Sequence, residues 1–148
     1  MGKAHPPSEY PDVPRIAVGA VVFKENRVLL VKRGKPPGMG QWAIPGGSVQ
    51  LGETLKAAAE REVMEETGVV ITAQKPVYTF DVVDRDSQGR IRFHYVIIDF
   101  SAEYQSGEVR PGDDAVAARW VTADELRVLG VNQRTRTLLH SAFAFGVD

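Results

Sequence analysis

The sequence contains no cysteine among its 148 residues. A disulfide framework and thiol chemistry are therefore both excluded. The absence is compatible with a reducing compartment, and we expect a cytoplasmic protein. The chain also lacks any apolar stretch that approaches the length of a membrane span. Its N-terminus, MGKAHPPSEYPDVP, has no apolar core of the kind that a signal peptide requires.

Charge of one sign is also missing, because the formal net charge is only -1. Such a chain exerts no overall attraction on nucleic-acid backbones or anionic membranes. We therefore expect neither nucleic acid nor a membrane as a partner. Any affinity for phosphate must come from local groups, which favours a small-molecule substrate.

The length predicts one domain, and 43% hydrophobic residues are enough for a sizeable core. Residues 1–14 carry four prolines and predict an extended or poorly ordered arm, so the domain is expected over residues 15–148. Apolar strands come first, followed by one acidic helix, a long hairpin, a short strand and C-terminal helices. This order predicts a mixed α/β fold of the α+β kind. A homodimer is compatible with the sequence.

The most informative stretch is Pro45–Val69, PGGSVQLGETLKAAAEREVMEETGV. Gly46 and Gly47 allow a tight loop before a helix, and Thr54 can cap the first helical turn. Gly68 stands where a left-handed residue often ends a helix. The stretch therefore predicts a loop followed by a helix between Thr54 and Gly68.

This helix places acidic residues on its apolar side. At roughly 100° per residue, Leu55, Ala59 and Val63 mark one stripe, and Glu62 and Glu66 fall within that stripe. Buried carboxylates must be protonated, paired with a base or bound to a metal. Oxygen ligands favour Mg²⁺, with Mn²⁺ as the alternative, over Zn²⁺. The competing interpretation is an exposed helix whose Glu and Arg residues form i,i+4 pairs.

The spacing within the stretch has a known counterpart. Gly47 is followed by five residues, then Glu53, seven residues and the run Arg61–Val69, REVMEETGV. This pattern matches the Nudix box at every fixed position, so the chain resembles Nudix hydrolases. The flanking segments GAVVFKENRVLLVKRG, GQWAIPGG and GDDAVAARWVTADEL are similar to small bacterial members assigned as ADP-ribose pyrophosphatases. A proline that many of those members carry downstream is absent here, where Arg85 and its neighbours stand.

The resemblance implies a curved mixed β-sheet sandwiched between α-helices. It also implies metal-dependent hydrolysis of the pyrophosphate bond in a nucleoside diphosphate linked to another group. The favoured substrate is ADP-ribose or a related nucleotide sugar, which would give AMP and a sugar phosphate. Two alternatives are a nucleoside-triphosphate pyrophosphohydrolase of the same fold and a non-catalytic nucleotide sensor.

Roles for individual residues follow from the same resemblance. The implied metal ligands are the Gly46 carbonyl and the side chains of Glu62, Glu65 and Glu66. Glu53 is expected to orient the attacking water, and it forms the catalytic set with Glu62 and Glu66. Structural roles within the motif are implied for Gly47, Arg61 and Gly68.

Two loops outside the motif supply further candidates. In RGKPPGMGQW, Arg33, Lys35 and Trp42 could bind substrate phosphates and an aromatic or sugar ring, although an ordinary loop with a packing Trp is an open alternative. In RPGDDAVAARW, Asp113 and Asp114 lie where the family often adds an acidic residue. Asp114 is the first choice for a catalytic role, and a solvated acidic turn is the alternative.

Overall fold

The computed structural model describes residues 9–146. The strands are β1 (Arg15–Lys24), β2 (Arg27–Arg33), β3 (Trp42–Ala43), β4 (Gly46–Ser48), β5 (Val70–Arg85), β6 (Ile91–Ser106) and β7 (Ala115–Thr122). The helices are α1 (Leu55–Thr67), α2 (Ala123–Val128) and α3 (Gln133–Phe143). The predicted acidic helix, long hairpin and C-terminal helices are all present. The short strands β3 and β4 are additional to the strands that the sequence predicts.

The strands form one mixed sheet. Its main path runs β3-β2-β1-β6-β5, while β4 also pairs with β1 and β7 also pairs with β2. Strands β1 and β6 are parallel, and the other pairs are antiparallel. Parallel pairing requires a long connection, and the segment from β2 through α1 to β5 supplies it. Strand β1 therefore lies between β6 and β4 in this part of the sheet.

Apolar side chains alternate between the two faces of β1 and β2, as the strand period requires. On the face covered by α1, the packed side chains include Val18, Ala20, Val22, Leu29, Ala58, Ala59 and Val63. On the face covered by α2 and α3, they include Val21, Val28, Leu30, Leu126, Leu138 and Leu139. The predicted sandwich of a mixed sheet between helices is confirmed.

Helix α1 begins and ends at the residues that the sequence marks. The Thr54 hydroxyl accepts a hydrogen bond from the Ala57 amide at 3.1 Å, which satisfies one unpaired amide of the first turn. Gly68 adopts a φ of 74° and donates its amide to the Met64 carbonyl. Because a left-handed residue reverses the chain direction, the segment after Gly68 can enter β5 at once.

Leu55 shares the face of Ala59 and Val63 but is not buried, so the predicted burial of this apolar stripe is wrong at its first residue. Its side chain is 37% exposed, whereas Ala58, Ala59 and Val63 are fully buried. Leu55 is the first residue of the helix, and the contact with the sheet begins one turn later. The periodicity gave the correct face but not the point along the axis where burial starts.

Residues 9–14 contain no helix or strand, but they contact the β5–β6 hairpin. The Tyr10 amide donates to the Arg92 carbonyl at 2.7 Å, and the Tyr10 hydroxyl lies 3.0 Å from Asp86 Oδ2. Arg92 Nε also pairs with Glu9 Oε2 at 2.8 Å. The rest of the predicted arm, residues 1–8, lies outside the described residues. None of the described helices is long and apolar enough to cross a membrane.

The packing of α1 predicts unequal effects of two truncations on the same helix. Val63→Ala removes two buried methyl groups and should lower the free energy of unfolding by about 1.5–3 kcal/mol. Leu55→Ala removes a larger but partly exposed side chain and should cost less than about 1 kcal/mol. Urea denaturation of both variants measures the difference. A larger loss at Leu55 would contradict the orientation of the helix.

Candidate active site

Helix α1 presents two buried carboxylates one turn apart. Glu62 is 7% exposed and Glu66 is 6% exposed. Residues at i and i+4 share a helix face, so both side chains point toward the sheet between the apolar contacts of the helix. Glu66 Oε1 accepts a hydrogen bond from the Gly46 amide at 2.8 Å. This bond joins the helix to β4.

The glycines before α1 are required by the close approach of the loop to its neighbours. A Cβ atom at Gly47 would overlap the carboxylate of Glu62. A Cβ atom at Gly46 would overlap the Val18 carbonyl on β1. The absent side chains therefore provide the space in which a carboxylate lies against the backbone of β4.

Arg61 connects the loop to the acidic helix. Its Nε and Nη2 donate to the two oxygens of Glu53 at 2.6 and 2.9 Å, which is a bidentate pair. Its Nη1 lies 2.6 Å from Glu62 Oε1 and 2.7 Å from Glu65 Oε1. Nη2 also donates to the Ser48 carbonyl at 3.0 Å. The hydrogen bond with Glu53 is the main reason that the pKa of Arg61 is raised, so the guanidinium is a fixed positive charge.

Burial dominates the electrostatics of Glu66 and raises its pKa to about 8. The hydrogen bond from the Gly46 amide and the charge of Arg33 oppose this shift, whereas the charges of Glu62 and Asp113 add to it. The Glu66 carboxyl therefore gains a proton easily, or it requires another positive charge to remain ionised.

Burial also raises the pKa of Glu62, although the hydrogen bond from Arg61 acts in the opposite direction. The charges of Glu65 and Asp113 raise it further. Arg61 is shared among three carboxylates, and Arg33 adds a second positive charge that acts on Glu66, so acidic groups still outnumber basic ones at the site.

The donor set fits a hard divalent cation. Within residues 9–146, no group of three or more His, Cys, Asp or Glu side chains could hold a metal ion. Magnesium needs no such cage, because one or two carboxylates commonly bind it together with water and substrate phosphates. Glu62 and Glu66 fit that role. Glu65 is more exposed, with 36% of its side chain accessible to solvent, and its carboxylate forms an ion pair with Arg61.

The loop between β6 and β7 is attached to the end of α1. The Arg110 amide donates to the Thr67 carbonyl at 2.9 Å, and the Gly112 amide donates to the Glu66 carbonyl at 3.0 Å. These bonds satisfy two carbonyls that a helix end leaves unpaired. They also place Asp113 close enough to the helix for its charge to affect Glu62 and Glu66.

The two acidic candidates of this loop have different surroundings. Asp113 adopts a left-handed φ of 52° and acts electrostatically on the buried pair. Asp114 Oδ1 instead pairs with Lys35 Nζ at 3.0 Å, with both side chains more than half exposed. The structure therefore brings Asp113 toward the acidic helix and Asp114 toward the loop after β2.

Arg33 and Trp42 hold the loop between β2 and β3. Arg33 Nε donates to the Pro37 carbonyl at 2.7 Å, within the loop itself. Trp42 is half-buried, packs against the core cluster beneath α2 and α3, and pairs with Val131. Its amide donates to the Gly130 carbonyl at 2.9 Å. These contacts give Trp42 a packing role.

One buried carboxyl lies outside the acidic motif and outside both candidate loops. Asp99 lies in the middle of β6 and is 4% exposed, and burial raises its pKa to about 7. The available signal was a lone charged residue within an otherwise apolar strand, VIIDF. A single residue of this kind has no spacing to match, so the motif did not include it.

Comparison with known proteins agrees with this geometry. The model of the NUDIX domain matches residues 13–141 of the chain. The match covers both faces of the sheet and the whole acidic helix. The chain belongs to the Nudix hydrolase family.

Two curated relatives and one solved structure illustrate the similarity. An ADP-ribose pyrophosphatase from Methanocaldococcus jannaschii is 36% identical over 113 residues, which cover 76% of this chain and 64% of the relative. The nucleoside triphosphatase NudI from an Enterobacter species is 32% identical over 129 residues, which cover 82% and 92%. The crystal structure of a MutT NUDIX hydrolase from Burkholderia pseudomallei has a TM-score of 0.71 and 31% identity, and the match covers 87% and 98%. The chain thus spans less than two thirds of the Methanocaldococcus protein.

The raised pKa of Glu66 predicts how stability changes with pH in the presence of a chelator. Between the ordinary pKa of a glutamate and about 8, the folded protein binds a proton that the unfolded chain has lost. The free energy of unfolding should therefore fall as the pH rises from 5 to 8, and Glu66 should contribute on the order of a few kcal/mol to that fall. Urea denaturation at several pH values measures it.

The matched comparison uses two variants. Glu66→Gln should lose this part of the pH dependence, whereas Asp124→Asn, on an exposed turn of α2, should retain it. If wild type and Glu66→Gln differed by the same amount at pH 5 and pH 8, the assignment of a raised pKa to Glu66 would be wrong.

Proposed function

We propose that this protein hydrolyses the pyrophosphate bond of a nucleoside diphosphate linked to another group, with Mg²⁺ or Mn²⁺ as cofactor. The observation that carries the proposal is the pair Glu62 and Glu66, buried on one face of α1 beside the backbone of β4. Burial of two unneutralised carboxylates is costly unless a cation compensates them. Since Arg61 is already shared among three carboxylates, a divalent ion is the missing charge.

Glu62 and Glu66 would hold the ion, with Glu65 and the Gly46 carbonyl as further candidate ligands. A bound divalent cation neutralises phosphate oxygens, and it lowers the pKa of a coordinated water. The contribution of the chain is to keep the two carboxylates fixed against β4, so that the phosphates bind in one orientation.

Glu53 is the candidate for orienting the attacking water. Its carboxylate is held in place by the bidentate pair with Arg61, and Oε1 accepts the Gln50 amide at 2.8 Å. A carboxylate fixed on both sides can direct a water molecule without losing side-chain entropy at each turnover. Arg61 is thereby assigned a positioning role.

For the additional acid, the electrostatic surroundings favour Asp113 over Asp114. Asp113 acts on the buried pair, whereas Asp114 is bound to Lys35. An exposed ion pair of this kind contributes no more than about 1 kcal/mol. Lys35 can therefore exchange Asp114 for a substrate phosphate at little cost, and Arg33 adds a second cation to the same loop.

The proposed substrate is ADP-ribose or a related nucleotide sugar, cut to AMP and a sugar phosphate. Support comes from the similarity to the Methanocaldococcus ADP-ribose pyrophosphatase. The alternative is a nucleoside triphosphate, supported by the similarity to NudI over nearly the whole length of that relative. Both reactions use the same carboxylates. The two substrates differ in the group attached beyond the phosphates, so the residues that contact that group decide between them.

The metal-site proposal predicts a loss of turnover without a loss of fold. Glu62→Gln and Glu66→Gln should each reduce kcat by at least about 100-fold at saturating Mg²⁺, because the phosphates lose their electrostatic stabilisation. Circular dichroism should remain that of wild type. Asp124→Asn serves as the control and should keep full activity. Near-normal turnover of either glutamine variant would remove these residues from the site.

The substrate proposal predicts a ranking of kcat/KM values. ADP-ribose should be hydrolysed more efficiently than any nucleoside triphosphate, with AMP and ribose 5-phosphate as the products. Chromatography of reactions with ADP-ribose, other nucleotide sugars, dinucleoside polyphosphates and triphosphates measures the ranking. Preferential release of pyrophosphate from a triphosphate would establish the alternative instead.

A further inference from the structure

Asp99 is a buried carboxyl in the middle of β6. Within residues 9–146, its side chain makes no hydrogen bond or ion pair, and burial is the only cause of its raised pKa. The same part of the chain contains no side-chain oxygen that is both sealed from solvent and unbonded. The Asp99 carboxyl therefore keeps a small contact with solvent, although the residue is only 4% exposed. Keeping such a group in the middle of a central strand costs stability.

The carboxyl points across the sheet toward β1. A Cβ atom at Gly19 would overlap Asp99 Oδ1 and would lie 2.9 Å from Ile44 Cδ1. Ile44 packs with the core cluster under α2 and α3, and so does Val21, two residues after Gly19. Asp99 is therefore on the face opposite α1, and the absent side chain of Gly19 provides the room that its carboxyl occupies.

The position of Asp99 relative to the acidic helix follows from the strand register. Asp99 pairs with Gly19, and Gly19 pairs with Gly46, on the adjacent strands β6, β1 and β4. With neighbouring strands about 4.8 Å apart, the Cα atoms of Asp99 and Gly46 are roughly 10 Å apart. The Gly46 amide in turn contacts Glu66. This separation between Asp99 and Gly46 is within the span of a nucleotide, in which the sugar lies between the phosphate and the base.

Aromatic side chains flank the carboxyl on the side away from Gly19. Tyr78 on β5 is the cross-strand partner of Asp99 and is 37% exposed. Its ring lies 5.3 Å from that of Phe80, and the guanidinium of Arg134 on α3 lies 5.4 Å from the Phe80 ring. Cross-strand partners share a face, so a ring system bound beside Asp99 has an aromatic surface next to it.

We propose that Asp99 accepts hydrogen bonds from the vicinal hydroxyls of a ribose that is attached to the substrate's pyrophosphate. This assignment rests on the proposed function for the identity of the phosphate group. A carboxyl has two acceptor oxygens, and a ribose diol offers two adjacent donors, so the pairing satisfies both. Either ribose of ADP-ribose has this chemistry, and deoxy analogues distinguish them. Asp99 selects ribose over deoxyribose and has no part in the water attack.

The first test compares substrates with and without one hydroxyl. Wild type should prefer ADP-ribose to the analogue that lacks the relevant 2-hydroxyl, on either the adenosine or the terminal sugar, by roughly 10–100-fold in kcat/KM. Asp99→Asn should reduce that preference to about 2-fold, mainly by raising KM for ADP-ribose while kcat changes little. Asp81→Asn, on an exposed position of β5, should leave the preference unchanged.

Stability separates this role from a structural one. Asp99→Asn and Asp99→Leu should melt at the wild-type temperature or above it, because each replaces a buried acid that has no partner among the described residues. A lowered melting temperature with an unchanged ribose preference in Asp99→Asn would overturn the proposal.

Binding measurements make the result independent of turnover. Calorimetry with Mg²⁺ compares AMP with 2′-deoxy-AMP, and ribose 5-phosphate with 2-deoxyribose 5-phosphate. A ribose preference that Asp99→Asn abolishes would support the assignment even if no substrate were hydrolysed, and that outcome would overturn the proposed function alone. Hydrolysis of ADP-ribose with the same ribose preference in wild type and variant would overturn the Asp99 assignment alone.

Discussion

Two ionisable side chains within an apolar contact between helix and sheet set the constraint on which the rest of the site depends. Glu62 and Glu66 occupy positions that a core helix would normally fill with aliphatic residues. Their burial raises both pKa values, so the fold alone stabilises the protonated forms. Ionisation needs positive charge close by. Arg61 and the amide of Gly46 supply part of this positive charge, and the proposed cation would supply the rest.

The same constraint explains the glycines. A carboxylate can lie against β4 only where the backbone carries no side chain, and Gly47 provides that space beside Glu62. Gly19 provides the corresponding space beside Asp99 on the opposite face. Gly47 and Gly19 thus each leave room for a carboxyl group to lie close to the backbone. The site therefore depends on missing side chains as much as on those present.

Much of the fold could be predicted because its signals are local. The caps at Thr54 and Gly68 act within one helical turn, and the hairpin of β5 and β6 is set by alternation and a turn. Strands β3 and β4 are too short for an alternating pattern of apolar residues to identify them. They are defined by their pairing with β2 and β1. The exposure of Leu55 likewise depends on where the sheet ends.

The Nudix motif indicated more of the site residues than periodicity could, but only those within the motif itself. It placed the acidic residues of α1 in one region, whereas the choice between Asp113 and Asp114 depends on how a loop packs against the helix end. Lys35 and Asp114 are distant in sequence, and no local rule indicates that they pair. Asp99 becomes prominent only when strand register places it beside Gly19.

The attachment of the β6–β7 loop to the end of α1 gives the site a shared dynamics. The amides of Arg110 and Gly112 donate hydrogen bonds to carbonyls of the last helical turn, so their hydrogens exchange with solvent when these bonds between loop and helix open. Fraying of this turn would displace Glu66 and Asp113 in a single event. Amide exchange at these two residues therefore reports how often the loop separates from the end of the helix.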